Sequence, residues 1–137
     1  MNRVLAVQSL NRVREMFLAG RLGAADTDSC VYHQVGGEKR VERFCAVGCL
    51  FTAEQLADIK KHGMNSGVGI QELAEQFGKR NLEAVTGLKI GDLENLQSSH
   101  DDMTSDDEVK RAFRAGKVNA DTQRFLDDVD ALIKAYK

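Results

Sequence analysis

The sequence contains no proline and no tryptophan, and only three of its 137 residues are cysteine. Without proline, no helix interior is forced to kink and no polyproline segment is expected. Without tryptophan, the chain is poorly equipped to stack the bases of single-stranded nucleic acid. Residues 1–10 are too mixed in character for a signal peptide, and three cysteines are a poor basis for a disulfide framework. We therefore expect reduced thiols and a cytoplasmic location.

Long apolar runs and a strong excess of one charge are missing as well. No stretch approaches the roughly 20 apolar residues that span a bilayer, so a membrane partner is not expected. The formal net charge of -2 provides no basic footprint for nucleic acid. The sequence has neither a P-loop nor a dinucleotide fingerprint, and we expect no cofactor.

Apolar residues make up 42% of the chain and charged residues 29%, which is ordinary for a globular domain with one core. In most of the chain the apolar residues recur at helical spacing, as Ala6, Leu10, Val13 and Phe17 do near the N-terminus. The sequence therefore predicts a mainly α, single domain over residues 1–137, built as an irregular bundle of six or seven short helices.

Capping residues and glycines set the boundaries of these helices. Thr52 with Gln55, and Ser105 with Glu108, have the spacing of capping boxes. In the short buried helix predicted over residues 44–51, Gly48 permits a close approach of another backbone segment. The predicted helices cover residues 2–19, 44–51, 53–62, 70–77 with helical packing continuing to 87, 90–100, 106–115 and 121–137.

Strand signals are confined to residues 30–44. Residues 30–35 are rich in β-formers, and Gly36 with Gly37 suits a two-residue hairpin turn. We predict one small β-hairpin in this region. The last predicted helix, in contrast, has apolar residues nearly all round, which favours deep burial or a homodimer contact through this helix.

The residue types of a nucleophile, a base and an orienting group are present in Cys45, His100 and Asp101. A thiol near the start of a short helix can have a lowered pKa. The competing interpretation is structural, because free cysteine is among the most buried residue types and His100 closes an apolar helical stripe. We favour the structural interpretation, and a cysteine-dependent hydrolase or transferase is the alternative.

Four sulfur and nitrogen ligands, the number that zinc takes, are offered by Cys30, His33, Cys45 and Cys49. Their spacing is not a zinc signature, and two of the cysteines lie in an apolar stretch. We therefore predict no metal site. The glycine-containing segment from Gly63 to Gly69 precedes a predicted helix, whose N-terminus is a place where anions bind. A small-ligand or nucleotide binder that uses this segment is a second alternative, although a flexible connector is the simpler interpretation.

Carboxylates are concentrated between residues 101 and 108. Such a run is usually a solvated helix start, since carboxylates are favourable near a helix N-terminus. The functional alternatives are a surface for a basic protein partner and mimicry of the charge of DNA. The candidate binding residues are Gln97, Asp102, Asp106, Asp107 and Glu108.

Two short motifs resemble those of a group of small uncharacterised phage and bacterial proteins. Cys45-Ala46-Val47-Gly48-Cys49-Leu50 is similar to their Cys-Ala-x-Gly-Ala-Leu core, and Leu96-Gln97-Ser98-Ser99-His100-Asp101 is similar to their Leu-Gln-x-x-His-Asp element. The resemblance implies a phage or prophage accessory protein and draws attention to Cys45, Gln97, His100 and Asp101 as one constellation. It also implies that Cys49, where the group usually has alanine, is not part of a shared metal site.

Together these observations favour a small phage-type accessory protein that modulates its host by binding a host or phage protein. We expect it to be non-catalytic and, if phage-encoded, to act in the cytoplasm of the host cell.

Overall fold

The computed structural model describes residues 2–23, 31–34, 42–66 and 68–137. In these ranges it has seven α-helices and two short strands, so the predicted mainly α fold with one small antiparallel sheet is confirmed. The helices are α1 (Arg3–Leu18), α2 (Ala53–Lys61), α3 (Ile70–Phe77), α4 (Lys79–Thr86), α5 (Ile90–Asp102), α6 (Asp107–Arg114) and α7 (Ala120–Tyr136).

The two strands are β1 (His33–Gln34) and β2 (Arg43–Phe44), which pair antiparallel with His33 opposite Phe44. The predicted Gly36–Gly37 turn lies outside the described residues. The predicted helix over residues 44–51 is wrong, because Phe44 belongs to β2 and only a 3-10 helix at Gly48–Leu50 follows. Sheet pairing of Phe44 wins over the helical propensity of the small apolar residues beside it.

Polar side chains fix several helix starts. Thr52 and Gln55 form the predicted capping box at α2, in which Gln55 N donates to Thr52 Oγ1 at 3.1 Å and Thr52 N donates to Gln55 Oε1 at 2.8 Å. At α6 the predicted capping box is wrong. Asp106 is the N-cap, because its Oδ1 accepts from two backbone N–H groups, while Ser105 Oγ donates to Asp102 O. A carboxylate that satisfies two orphan donors is a stronger cap than a single hydroxyl.

A glycine divides the segment over residues 70–87 into two helices. Gly78 has a φ of +94°, a conformation that side chains with a Cβ rarely adopt and that stops the helical hydrogen-bond ladder. The chain turns there, so α3 and α4 pack against each other instead of forming one rod. The turn brings Phe77 of α3 to the same surface opening as Leu82 and Val85 of α4.

The core lies chiefly where α1 packs along α7. All four predicted core residues of α1 are fully buried, which confirms that part of the prediction. The rings of Phe17, Phe113 and Phe125 meet at centroid distances between 4.9 and 5.9 Å. Tilted and edge-on pairs of this kind stabilise a core beyond the area they bury.

The large apolar residues of α7 are covered by the rest of the chain, except Leu132, which is half-buried. Leu126 is 8% exposed and Ile133 is 7% exposed, so the alternative of deep burial accounts for its apolar composition. A homodimer through this helix stays a prediction. Among the described residues, no helix combines the length and the apolar character needed to cross a membrane.

Candidate functional site

Both described thiols lie in the core. Cys45 and Cys49 are each 1% exposed. Cys45 Sγ accepts from Gly48 N at 3.2 Å, and Cys49 Sγ donates to Ala46 O at 3.2 Å. Burial raises the pKa of Cys49 to about 12. Groups with these contacts are poor nucleophiles, because attack requires an accessible thiolate.

This burial predicts slow alkylation. In a Cys30→Ser variant, which keeps only Cys45 and Cys49, we expect iodoacetamide to react about 100-fold or more slowly than with an exposed thiol at neutral pH, because access requires local opening. In denaturant both should react fully, as mass spectrometry would show. Rapid labelling of Cys45 in the folded protein would contradict the buried position and favour the hydrolase or transferase alternative.

His100 and Asp101 are brought together, but the thiol is not part of their network. His100 Nδ1 lies 3.2 Å from Asp101 Oδ1, and the same oxygen accepts from Gln97 Nε2 at 3.0 Å. The imidazole stands edge-on to Phe113, and its buried Nε2 has no hydrogen-bond partner among the described residues. Neither ring nitrogen therefore bonds the Cys45 thiol. The arrangement is that of a packed polar network which orients a core histidine.

His33 belongs to a hydrogen-bonded chain that the sequence does not reveal. Its Nδ1 lies 2.5 Å from Lys60 Nζ, and its Nε2 lies 3.3 Å from Glu42 Oε2. The ammonium can only donate, so Nδ1 accepts and Nε2 carries the proton. With both nitrogens engaged, His33 is not poised to bind a metal. The part of the chain that the structure describes holds no group of three metal-ligating side chains, and Cys30 lies outside that part.

The predicted acidic residues share one corner of the molecule. Asp101 and Asp102 end α5, Asp106 caps α6, and Asp107 and Glu108 form its first turn; all five are exposed. The two carboxylates at the end of α5 oppose the dipole of α5, whereas the three carboxylates at the start of α6 complement the dipole of α6. Helix capping accounts for Asp106. A binding role for the corner stays a prediction.

The glycine-containing connector between α2 and α3 supports the small sheet. Asn65 accepts from His33 N at 3.1 Å and donates to His33 O at 2.9 Å, so its side chain continues the ladder beside β1. Tyr32 OH donates to Val68 O at 2.6 Å. These bonds give the connector a structural task, and the nucleotide hypothesis gains no support from its described residues.

A cleft of about 690 Å³ lies at the start of α5, and it is lined by charges of both signs. Glu83 Oε2 accepts from Ile90 N at 3.1 Å, and Tyr136 OH donates to Asp92 in the first turn of the helix. The pKa of Tyr136 is raised to about 12 by burial and by this carboxylate. The helix N-terminus, which would otherwise attract an anion, is thus neutralised by the chain's own carboxylates.

A second opening, the α2–α4 groove, is the best candidate binding site. It has a volume of about 320 Å³, and its apolar lining is Phe51, Ile59, Phe77, Leu82, Ala84 and Val85. Ile59 and Leu82 are buried below it, whereas Phe77 and Val85 are only half-buried. Ligand sites are typically apolar cavities of a few hundred Å³ with a small number of polar groups.

The groove exists because α2 is not closely packed on another described helix. The close helix pairs are α1 with α4 and α7, α3 with α4 and α5, α5 with α4 and α7, and α6 with α7. The α2 helix is held on the rest of the chain by its buried residues Leu56 and Ile59 and by the Lys60–His33 contact at its end. The gap beside α2 is left open by this mode of attachment.

Three polar side chains form the rim of the α2–α4 groove. Gln55 uses its Oε1 in the capping box, which leaves its Nε2 as a donor. Asn81 uses Nδ2 to donate to Phe77 O at 2.7 Å, so its Oδ1 is the acceptor that an occupant would meet. Asp58 is exposed and is the only ionisable group of the lining.

Sequence patterns identify these groove residues only as core positions. Phe77 and Val85 fit the helical stripes of their segments, and a stripe does not indicate which of its members lacks a partner on the other side.

No family model matches the chain, and neither a curated protein nor a solved structure matches it. The functional argument therefore depends on the groove and on the network residues themselves.

Proposed function

We propose that this protein is a non-catalytic binding module, and that the α2–α4 groove receives an apolar side chain of a partner protein. The observation that carries the proposal is the open apolar floor formed by Ile59 and Leu82 between the half-buried side chains of Phe77 and Val85. Large apolar anchors in such pockets supply most of the affinity of many protein interfaces.

The size of the groove favours a side-chain anchor. About 320 Å³ is at the lower end of the range for small-molecule sites. The groove also runs between two helices and is open to solvent along its rim, which is how grooves that accept an amphipathic partner segment are built. A protein segment that inserts one aromatic or aliphatic residue fits both features.

The burial of Cys45 supports the non-catalytic part of the proposal, since an enclosed thiol does not meet a substrate. The resemblance to phage and bacterial accessory proteins adds the expectation that the partner is a host or phage protein. The acidic corner, with Asp102, Asp107 and Glu108, is a second surface for which a basic partner stays a prediction.

The proposal is tested with a randomised peptide library selected on the immobilised protein. We expect the enriched peptides to share one large apolar residue. A selected peptide should bind a Phe77→Ala variant about ten-fold more weakly, because about 1.4 kcal/mol of apolar contact is lost. Leu18→Ala is the matched control: Leu18 is apolar, 51% exposed and outside the groove lining, and its truncation should change the affinity by no more than about two-fold.

Two results would contradict the proposal. The first is enrichment of peptides with no shared apolar residue, or equal affinity for the parent protein and Phe77→Ala. The second is self-association in sedimentation that Phe77→Ala removes, because the occupant of the groove would then be a second copy of the chain.

A further inference from the structure

The α2–α4 groove carries charge of one sign. Of the residues that line it, Asp58 alone is ionisable, and it lies at the solvent-exposed rim beside the apolar floor. Within the described part of the chain, no basic side chain forms an ion pair with Asp58. Its carboxylate is therefore available to an occupant.

The neighbouring cations of α2 do not form an ion pair with the Asp58 carboxylate. Lys60 is engaged with His33 on β1, at 2.5 Å between Nζ and Nδ1. Lys61 and His62 close the helix, where positive groups complement the helix dipole. His62 also packs its ring edge-on against Phe77, and its Nδ1 lies 2.8 Å from the carbonyl oxygen of Asp58. The backbone of Asp58 is thus fixed while its side chain faces water.

We infer that the groove selects an apolar anchor that is flanked by a positively charged residue, lysine or arginine, of the partner protein. The inference rests on the proposed function and adds the class of partner. The anchor would displace water from the floor between Ile59 and Leu82. The flanking cation would meet the Asp58 carboxylate, and the Asn81 Oδ1 atom is a further acceptor in the lining of the same groove.

Charge at a rim position acts on specificity more than on total affinity. An exposed ion pair contributes little, equivalent to a change in affinity of about two-fold to five-fold. The apolar anchor is expected to supply the larger part. The inference therefore predicts a preference among occupants of equal apolar size, which can be measured separately from binding as such.

The test uses three probes that share a phenyl ring and differ in charge: 2-phenylethylammonium, 2-phenylethanol and 3-phenylpropionate. Each is titrated into the ¹⁵N-labelled protein, and the amide shifts of α2 and α4 give the dissociation constants. We expect the ammonium compound to bind about three-fold more tightly than the alcohol, and the carboxylate to bind most weakly. In Asp58→Asn, which keeps the shape of the side chain, the three constants should become equal.

Asp127→Asn is the matched control, because Asp127 is an exposed carboxylate on α7, away from the groove. It should keep the preference of the parent protein. Equal binding of the ammonium compound and the alcohol to the parent protein would overturn the inference and leave the proposed function standing. A preference that survives in Asp58→Asn would also overturn it. If no probe shifts the groove amides and the peptide selection finds no apolar anchor, both the inference and the proposed function fail.

Discussion

Replacing Gly48 with alanine is expected to destabilise the protein by at least about 3 kcal/mol. A Cβ atom at this position would lie 1.9 Å from Tyr32 O and 2.7 Å from Tyr32 C. These are backbone atoms, which a rotamer change cannot move. Tyr32 O also accepts from Cys45 N, and Tyr32 N donates to Asn65 O at 2.9 Å, so a shift of Tyr32 would strain the contacts of three segments at once.

The loss of stability is measured by urea unfolding, monitored by circular dichroism. In thermal unfolding we expect the melting temperature to fall by about 10 °C. Gly91→Ala is the matched control. Gly91 is the second residue of α5, and a Cβ atom there would meet nothing within 4 Å. Alanine is the better helix former, so this variant should keep the stability of the parent protein or gain up to about 0.5 kcal/mol, less than the value for a helix interior because Gly91 lies in the first turn. A loss below about 1 kcal/mol in Gly48→Ala would show that the close approach to Tyr32 is not a constraint on the fold.

The effect of Gly48→Ala should extend to the candidate site. Phe51 N donates to Gly48 O at 3.2 Å, and Phe51 lines the α2–α4 groove. The 3-10 helix thus connects Gly48 and its contact with Tyr32 to the groove. A requirement for glycine at this position is explained by packing, without any role for the neighbouring thiol in catalysis.

Local signals were sufficient to predict the α-helices and one of the close contacts, but not the segment over residues 44–51, where a helix was predicted and a strand residue and a 3-10 helix are found. The α1 stripe and the Thr52–Gln55 capping box depend on residues within one or two turns of each other, and the structure confirms both. The inference that Gly48 admits another backbone segment is confirmed too. The sequence near Gly48 does not indicate that its backbone neighbour is Tyr32, because that contact is formed only in the folded chain.

The remaining features depend on pairs that are distant in the chain. The Lys60–His33–Glu42 chain joins α2 to β1 and to the residue that precedes β2, and no pattern of residue types links these positions. At α6 the predicted cap was Ser105, and only the geometry of the turn decides for its neighbour Asp106. The α2–α4 groove is harder still to predict from the sequence, because it is formed where no described helix packs closely beside α2.

Replacing Phe113 with alanine is expected to cost about 3–5 kcal/mol. Phe113 is fully buried, and its ring contacts Phe17 at 5.2 Å, Phe125 at 4.9 Å and His100 at 5.3 Å between centroids. Removing it opens a cavity between α1, α5, α6 and α7. The surrounding helices can collapse only partly onto that space, since each is fixed by contacts elsewhere in the core.

Phe77→Ala is the informative comparison, because it removes the same ring from the rim of the groove. Phe77 is only half-buried, so its loss should cost no more than about 1.5 kcal/mol of stability. The two variants should therefore have opposite profiles: Phe113→Ala unfolds at a lower urea concentration while its folded fraction binds a selected peptide normally, and Phe77→Ala folds well but binds about ten-fold more weakly. Equal losses of stability in the two variants, or weakened peptide binding by folded Phe113→Ala, would contradict this separation of the core from the binding surface.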